Sequence, residues 1–225
     1  MFRDITAPYH ALESWFYDWA VAPAIAEMLE ERPQILRPFL KAMPADGRLL
    51  DVGCGGGHLA IALASANPGW HITGLDLSED QVRRARRRSP DPGAGIYFMA
   101  GSSASLPFAE NSFDGVISVC SIKHWPDPAR GLKECLRVLR PGGPLVVMEV
   151  DPDHSRDDRR AFVARQHVPF FLKPAAMAGF RWKIAARSLR MKSAESLFTG
   201  LPASGIKSAQ VPGMPLWMIS AVKHG

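Results

Sequence analysis

Between Gly53 and Gly57 only Cys54 is not glycine, and no other stretch limits so sharply what this chain can fold into. Asp46-Gly47 makes a turn, Leu49 to Val52 is a short apolar run of strand type, and Leu59 to Ala66 favours helix, so the glycines form a tight loop between strand and helix. Glycine lacks Cβ and tolerates positive φ, which lets a ligand approach the backbone closely, and the amides that open the helix offer unpaired donors. A phosphate-cradling loop needs a Gly-Lys-Ser/Thr ending, and His58-Leu59-Ala60 supplies none of it. A dinucleotide fingerprint needs its third glycine where His58 stands, and Asp51 beside the loop disfavours a pyrophosphate. Taken alone, the loop is also compatible with a glycine-rich turn that holds no ligand.

The 225 residues suffice for one α/β core with additions, and a single domain is expected. Apolar residues at 47% and charged residues at 22% fit a soluble globular chain, and no apolar run is long enough to span a bilayer. Met1-Phe2-Arg3-Asp4 lacks a secretory pattern, and Cys54, Cys120 and Cys135 are odd in number and scattered. A reducing cytoplasm is therefore the expected location, and no metal site is expected. The net charge of +5 is uneven: five arginines fall between Arg83 and Arg88, and ten Lys/Arg against three Asp fall in residues 152–193. A solvated helix face is the ordinary meaning of such clusters; nucleic acid, anionic lipid or an acidic substrate are the alternatives.

Residues 11–30 are expected to form a helix with Leu12, Trp15, Phe16 and Trp19 on one face, either as core or as cover for a pocket mouth, and Pro33 opens a second helix to about Lys41. Trp70 to Leu77 reads as a strand ending at Asp76, Ser78 with Gln81 as a capping box, and Pro90 to Gly95 as a loop. Ile96 to Ala100 is continuously apolar, as a buried parallel strand would be. Gly115 to Cys120 is a fourth strand. A helix capped by Asp127 and opened by Pro128 follows, with Leu132, Cys135, Leu136 and Leu139 inward, and Leu145 to Val150 is a fifth strand. This alternation predicts right-handed crossovers and a doubly wound α/β sheet. Beyond Asp151 the chain turns irregular, basic and aromatic, then gives a helix near Ala194 to Leu201 and two strands, Ile206 to Val211 and Leu216 to Val222. Their short Pro212-Gly213-Met214-Pro215 connection makes these strands antiparallel neighbours. The expected organisation is a helical cap (1–45), a cofactor-binding core (46–151), an insertion or lid (152–193) and a closing helix and strands (194–225).

Asp76, at the end of the second strand, stands where a carboxylate accepts two hydrogen bonds from a ribose diol; a loop cap is the alternative. The pattern Asp51-x-Gly53-x-Gly55-x-Gly57 after a strand resembles motif I of the class I S-adenosylmethionine-dependent methyltransferases. Gly101 to Phe108 with Phe113-Asp114-Gly115-Val116, Cys120 to Asp127, and Glu134 to Gly143 resemble, in order, further segments of the small-molecule, UbiE-like branch of that family. The resemblance implies a seven-stranded, mostly parallel, Rossmann-like sheet of order 3-2-1-4-5-7-6 with strand 7 antiparallel. It also implies S-adenosyl-L-methionine as cofactor, bound by Asp51, Gly53, Cys54, Gly55, Asp76, Leu77, Ser102, Ser103 and Cys120. Ser102 stands where the family has an aspartate for the adenine amino group; its hydroxyl is expected to accept that bond more weakly.

Methyl transfer is an in-line displacement at an activated carbon, so the protein mainly aligns the groups and excludes water. His124, just past the fourth strand, is the candidate base if the acceptor must lose a proton, with a structural role as the alternative. His58 is expected to face the first helix. Trp15, Trp19, Phe180 and Trp182 are the candidate acceptor-facing residues, with Phe170 and Phe171 beside them. A helix from Pro174 onward would place Met177, Phe180, Ile184 and Met191 on one stripe flanked by Lys183, Arg187 and Arg190, as a packed helix or a substrate lid. The acceptor is expected to be a small molecule. Ser121-Ile122-Lys123-His124 replaces the Asn/Asp-Pro-Pro-aromatic motif of amino-directed nucleic-acid methyltransferases, which argues against nucleic acid. A lipid or quinone methyltransferase making peripheral contact with a membrane, and a non-catalytic binding protein, are the rival readings.

Overall fold

The computed structural model describes residues 16–89, 95–179 and 188–225. One sheet contains β1 (Arg48–Val52), β2 (His71–Asp76), β3 (Ile96–Ala100), β4 (Gly115–Val119), β5 (Pro144–Val150), β6 (Ala203–Gln210) and β7 (Leu216–Lys223). Their order is β3-β2-β1-β4-β5-β7-β6, parallel through β5, with β7 antiparallel to both β5 and β6. This is the order the family resemblance implies. Between β1 and β4 the winding reverses, which opens a crevice at the carboxyl ends of the strands.

Side chains alternate across the pleat and so build two cores. Leu49, Ile72, Ile117 and Val146 join one that includes residues of α1 (Ala22–Glu30), α2 (Pro33–Ala42), α3 (His58–Ala66), α4 (Glu79–Arg88) and α6 (Arg156–Arg165). Leu50, Val116, Leu145, Val147 and Trp217 join the other, with α5 (Pro128–Val138) and with Ala194 of α8 (Met191–Ser196). Local signals set the helix starts. Asp127 Oδ1 accepts the Arg130 amide at 3.0 Å and Ser78 Oγ accepts the Gln81 amide at 3.4 Å. The reciprocal half of the expected capping box is absent because the Ser78 amide donates to Asp76 Oδ1 at 2.9 Å.

Several expectations require correction. β3 is an edge strand: Ile96 and Phe98 are buried, but Tyr97 is 58% exposed on a face left uncovered there. The described part of the aromatic stripe, Phe16 and Trp19, is not core. Ala22 N–H bonds to Tyr17 O five residues back, closing a π-helical turn over Tyr17–Val21 that shifts the helical phase. Asp18, Ala20 and Val21 therefore turn inward while Phe16 and Trp19 stay exposed, their ring centroids 6.3 Å apart. Leu12 and Trp15 lie outside the described residues, as do residues 90–94 of the expected loop.

Among its described residues, the insertion after β5 holds α6 and α7 (Lys173–Gly179), linked through a 3-10 turn at Phe170–Leu172, where an irregular segment and one helix were expected. Met191 opens the separate helix α8 after a non-helical Arg190, so it shares no continuous helix with Met177. The closing helix is correspondingly earlier than Ala194–Leu201. Phe180, Trp182, Lys183, Ile184 and Arg187 lie outside the described residues.

Candidate functional site

The glycine loop leaves β1 and bends back under the end of β2. Gly53 and Cys54 donate their amides to Leu75 O at 2.7 and 3.1 Å, and Gly55 donates to Asp76 Oδ2 at 2.8 Å. Gly53 has φ 77°, and a Cβ there would lie 2.3 Å from the Ser121 side chain, so no other residue fits. Asp76 thus holds the loop and the start of α4 together, through Gly55 and Ser78, and still borders a cleft of about 260 Å³.

That cleft is lined by the loop (Gly53, Gly55), by Asp76 and Leu77, by Gly101 and Ser103, and by Cys120, Ser121, His124 and Trp125. A smaller recess on the far side of the loop is lined by Asp51, Cys54, His58 and Val119, and Tyr17, Gly53 and Gly55 border both. Asp51 is only 2% exposed, and burial, reinforced by the negative Asp76, raises its carboxyl pKa to about 7. Cys54 is pushed well above the usual thiol range, first by burial and then by Asp76 and Asp51.

The opposite wall follows from how β4 ends. Cys120 takes φ 55° and donates its amide to Met148 O, which turns the chain into the 3-10 turn Ile122–His124. Burial and Glu149 push the Cys120 thiol up to about 12, so it stays protonated and a poor nucleophile. Ser121 Oγ donates to Val52 O at 2.9 Å and accepts Trp125 Nε1–H at 3.0 Å, tying this wall to β1 beneath the loop. Lys123 Nζ reaches Glu149 Oε1 at 2.8 Å, both side chains nearly inaccessible, and anchors the His124 turn to β5.

A third wall comes from the amino-terminal helices. Buried Asp18 bonds Arg88 Nη2 at 3.0 Å and His58 Nε2 at 3.2 Å, and Arg88 also donates to Gly56 O. Despite its burial, Asp18 is held below the ordinary carboxylate range by its bonds to His58 and Arg88. Arg86 donates twice to Phe98 O, so two of the five clustered arginines brace the fold where a solvated face was expected.

Tyr17, Ser121 and Trp125 are cleft residues to which the sequence reading gave no role. The Ser121-x-x-His124-Trp125 spacing was a usable signal for two of them; Tyr17 had none, because the π-turn hides its phase. Conversely, the Ser102 hydroxyl accepts the Ala104 amide at 3.3 Å, and Ser102 is not among the residues lining either recess. Ser103 lines the cleft, is 6% exposed, and its hydroxyl finds no hydrogen-bond partner among the described residues. Trp19 does not line either recess.

Residues 50–147 match the family described as a methyltransferase domain. These residues form a methyltransferase domain. Its strand order is that of the class I, S-adenosylmethionine-dependent fold. The 2-methyl-6-phytyl-1,4-hydroquinone methyltransferase of Synechocystis is 36% identical over 183 residues, covering 80% of this chain and 54% of that protein. The ubiquinone/menaquinone biosynthesis C-methyltransferase of Methylobacterium nodulans is 38% identical over 120 residues, covering 52% of this chain and 44% of that protein. The chain spans about half the length of these curated relatives. Among solved structures, Haemonchus contortus phosphoethanolamine N-methyltransferase 2, in complex with phosphomonomethylethanolamine and S-adenosylhomocysteine, superposes with TM-score 0.67 over 97% of this chain and 58% of that one. At 17% identity that likeness is one of fold.

Groups that would fit S-adenosylmethionine line the cleft and the smaller recess of this methyltransferase domain. Asp76 has carboxylate oxygens that would suit a ribose, Ser103 a buried hydroxyl without a partner among the described residues, and Asp51 a buried acid whose charge a cationic amino group would stabilise. Among the described residues no helix is long and apolar enough to cross a membrane.

Proposed function

We propose that the chain transfers the methyl group of S-adenosylmethionine to a small aromatic acceptor of quinol type. The observation that carries this reading is that a single cleft is lined both by Asp76 and the glycine loop and by Tyr17, His124 and Trp125. The cofactor supplies a methyl group already activated on a cationic sulfur. Gly53 and Gly55 admit it close to the backbone, Asp76 takes its ribose, and Asp51 takes its amino group from the smaller recess. Ser103, not Ser102, reads its adenine edge. His124 lines the same cleft as Asp76, positioned to remove a proton when the acceptor is a hydroxyl. The curated relatives whose names specify quinone substrates support the acceptor class. Incubating the chain with labelled S-adenosylmethionine and a panel of quinols and simple phenols tests the reading; absence of label in every acceptor, with cofactor bound, would favour a non-catalytic cofactor-binding protein.

Two binding experiments examine the cofactor assignment. Asp76→Ala is expected to weaken S-adenosylhomocysteine by at least roughly tenfold, since hydrogen bonds to a charged acceptor contribute about 1.5–3 kcal/mol each and the variant also frees the Gly55 and Ser78 amides. Calorimetry giving unchanged affinity in a folded variant would remove Asp76 from the site, and NAD is expected not to bind. Asp51 predicts a pH dependence. Its raised pKa means the folded state favours the neutral acid: that contribution to stability is full below the unfolded value and is lost as pH rises through about 7. A cationic ligand favours the carboxylate instead. Affinity should therefore increase from about pH 6 to about pH 7.5 in the parent and stay flat in Asp51→Asn. Equal slopes in the two proteins would show that Asp51 does not face the amino group.

A further inference from the structure

The turn between α6 and α7 carries Phe170, Phe171 and Leu172 at 83%, 66% and 46% exposure. Three consecutive large apolar side chains in water are unusual on a soluble surface. The turn is nevertheless built into the fold. Phe162 and Val163 of α6 are buried in the core, and Ala176 and Met177 of α7 pack against it. Lys173 Nζ caps Ala164 O at 2.7 Å, while Arg165 and His167 pair with Glu31 and Glu27 at 2.7 and 3.3 Å. The two phenyl rings meet edge to face, 5.7 Å between centroids, and so present one apolar knob.

We propose that this knob inserts into the headgroup region of a membrane carrying anionic lipid. Phe170 and Phe171 line neither recess, and their exposure among the described residues is that of a projection. The knob's charge setting suits an anionic surface: among the described residues of the insertion Arg156 and Arg160 are exposed on α6 and Lys173 follows the knob, while the acids Glu27 and Glu31 are already paired with His167 and Arg165. An apolar knob on a segment that also exposes bases is the chemistry by which a peripheral protein binds an anionic bilayer. The insertion leaves β5 at the carboxyl edge of the sheet, the edge at which the cleft opens. Docking there brings the cleft to the bilayer surface, where a lipid-tailed acceptor would present its ring. The inference deepens the proposed function by naming the surface that supplies the acceptor, and it is tested without turnover so that either can fail alone.

The full chain is sedimented with phosphatidylcholine vesicles and with mixed phosphatidylcholine–phosphatidylglycerol vesicles, at low and high salt. The expected result is binding to the mixed vesicles that weakens with salt. In Phe170→Ser/Phe171→Ser it should fall roughly tenfold or more, with melting temperature and S-adenosylhomocysteine affinity at parental values. Failure of the parent to bind the mixed vesicles, or equal binding by the double variant, overturns the proposal. So does a concentration-dependent dimer abolished by the double variant, which would assign the knob to a second copy of the chain.

Discussion

Exchanging Glu149 for glutamine should destabilise the protein by about 3–5 kcal/mol, read as a lowered denaturant midpoint at unchanged m-value. Glu149 on β5 is fully buried, and Lys123, its partner at 2.8 Å, is 5% exposed. Glu149 Oε1 also accepts the Val150 amide at 2.7 Å. Removing the negative partner leaves an ammonium in the interior without its counter-charge, and that penalty exceeds the worth of the intact pair. Replacing both, as Lys123→Met/Glu149→Leu, should recover most of the loss because neither charge then remains buried. Additive losses in the double variant would show that the pair is not coupled. Because the pair anchors the Ile122–His124 turn, the single variant should also lose activity ahead of cofactor affinity.

His124→Ala should lower turnover by about 10²–10⁴ with S-adenosylhomocysteine affinity near parental, if the acceptor is a hydroxyl that must be deprotonated. His124 lines the same cleft as Asp76, on a turn fixed by the His124 amide bond to Ser121 O at 2.8 Å. His124→Gln separates the roles of base and hydrogen-bonding group. Should it retain parental turnover with an unaltered pH–rate profile, His124 holds the turn and transfer proceeds by alignment alone. Acceptors of graded acidity add a second readout, since a more acidic phenol depends less on a base.

What the sequence reveals and conceals has physical causes. The parallel strands were legible because burial on both faces makes them apolar runs, and the glycine loop because Gly53 and its neighbours permit backbone that other residues do not. Asp76 was legible from its place at a strand end. The phase of the amino-terminal helix was not, because one hydrogen bond from Ala22 to Tyr17 moves the side chains of Phe16 to Trp19. Helix α6 was hidden because Arg156-Asp157-Asp158-Arg159-Arg160 reads as loop, and only Phe162 and Val163 bury deeply. The Asp18–Arg88 bond joins residues 70 positions apart, a pairing no local pattern encodes. On the expected adenine side a local turn engages the Ser102 hydroxyl and leaves Ser103 beside the cleft, a distinction between neighbouring serines that no pattern encodes.

The antiparallel placement of β7 bears on how the chain is made. β5 is paired along its length with β7, from Pro144 with Val222 to Val150 with Leu216. On the ribosome β5 emerges long before that partner, so one edge of a fully buried apolar strand waits unpaired while the intervening residues are translated. Trp217, Ile219 and Ala221 then close the second core as they pair. The nascent protein thus completes β1 to β5 first and carries one unpaired sheet edge until β7 arrives.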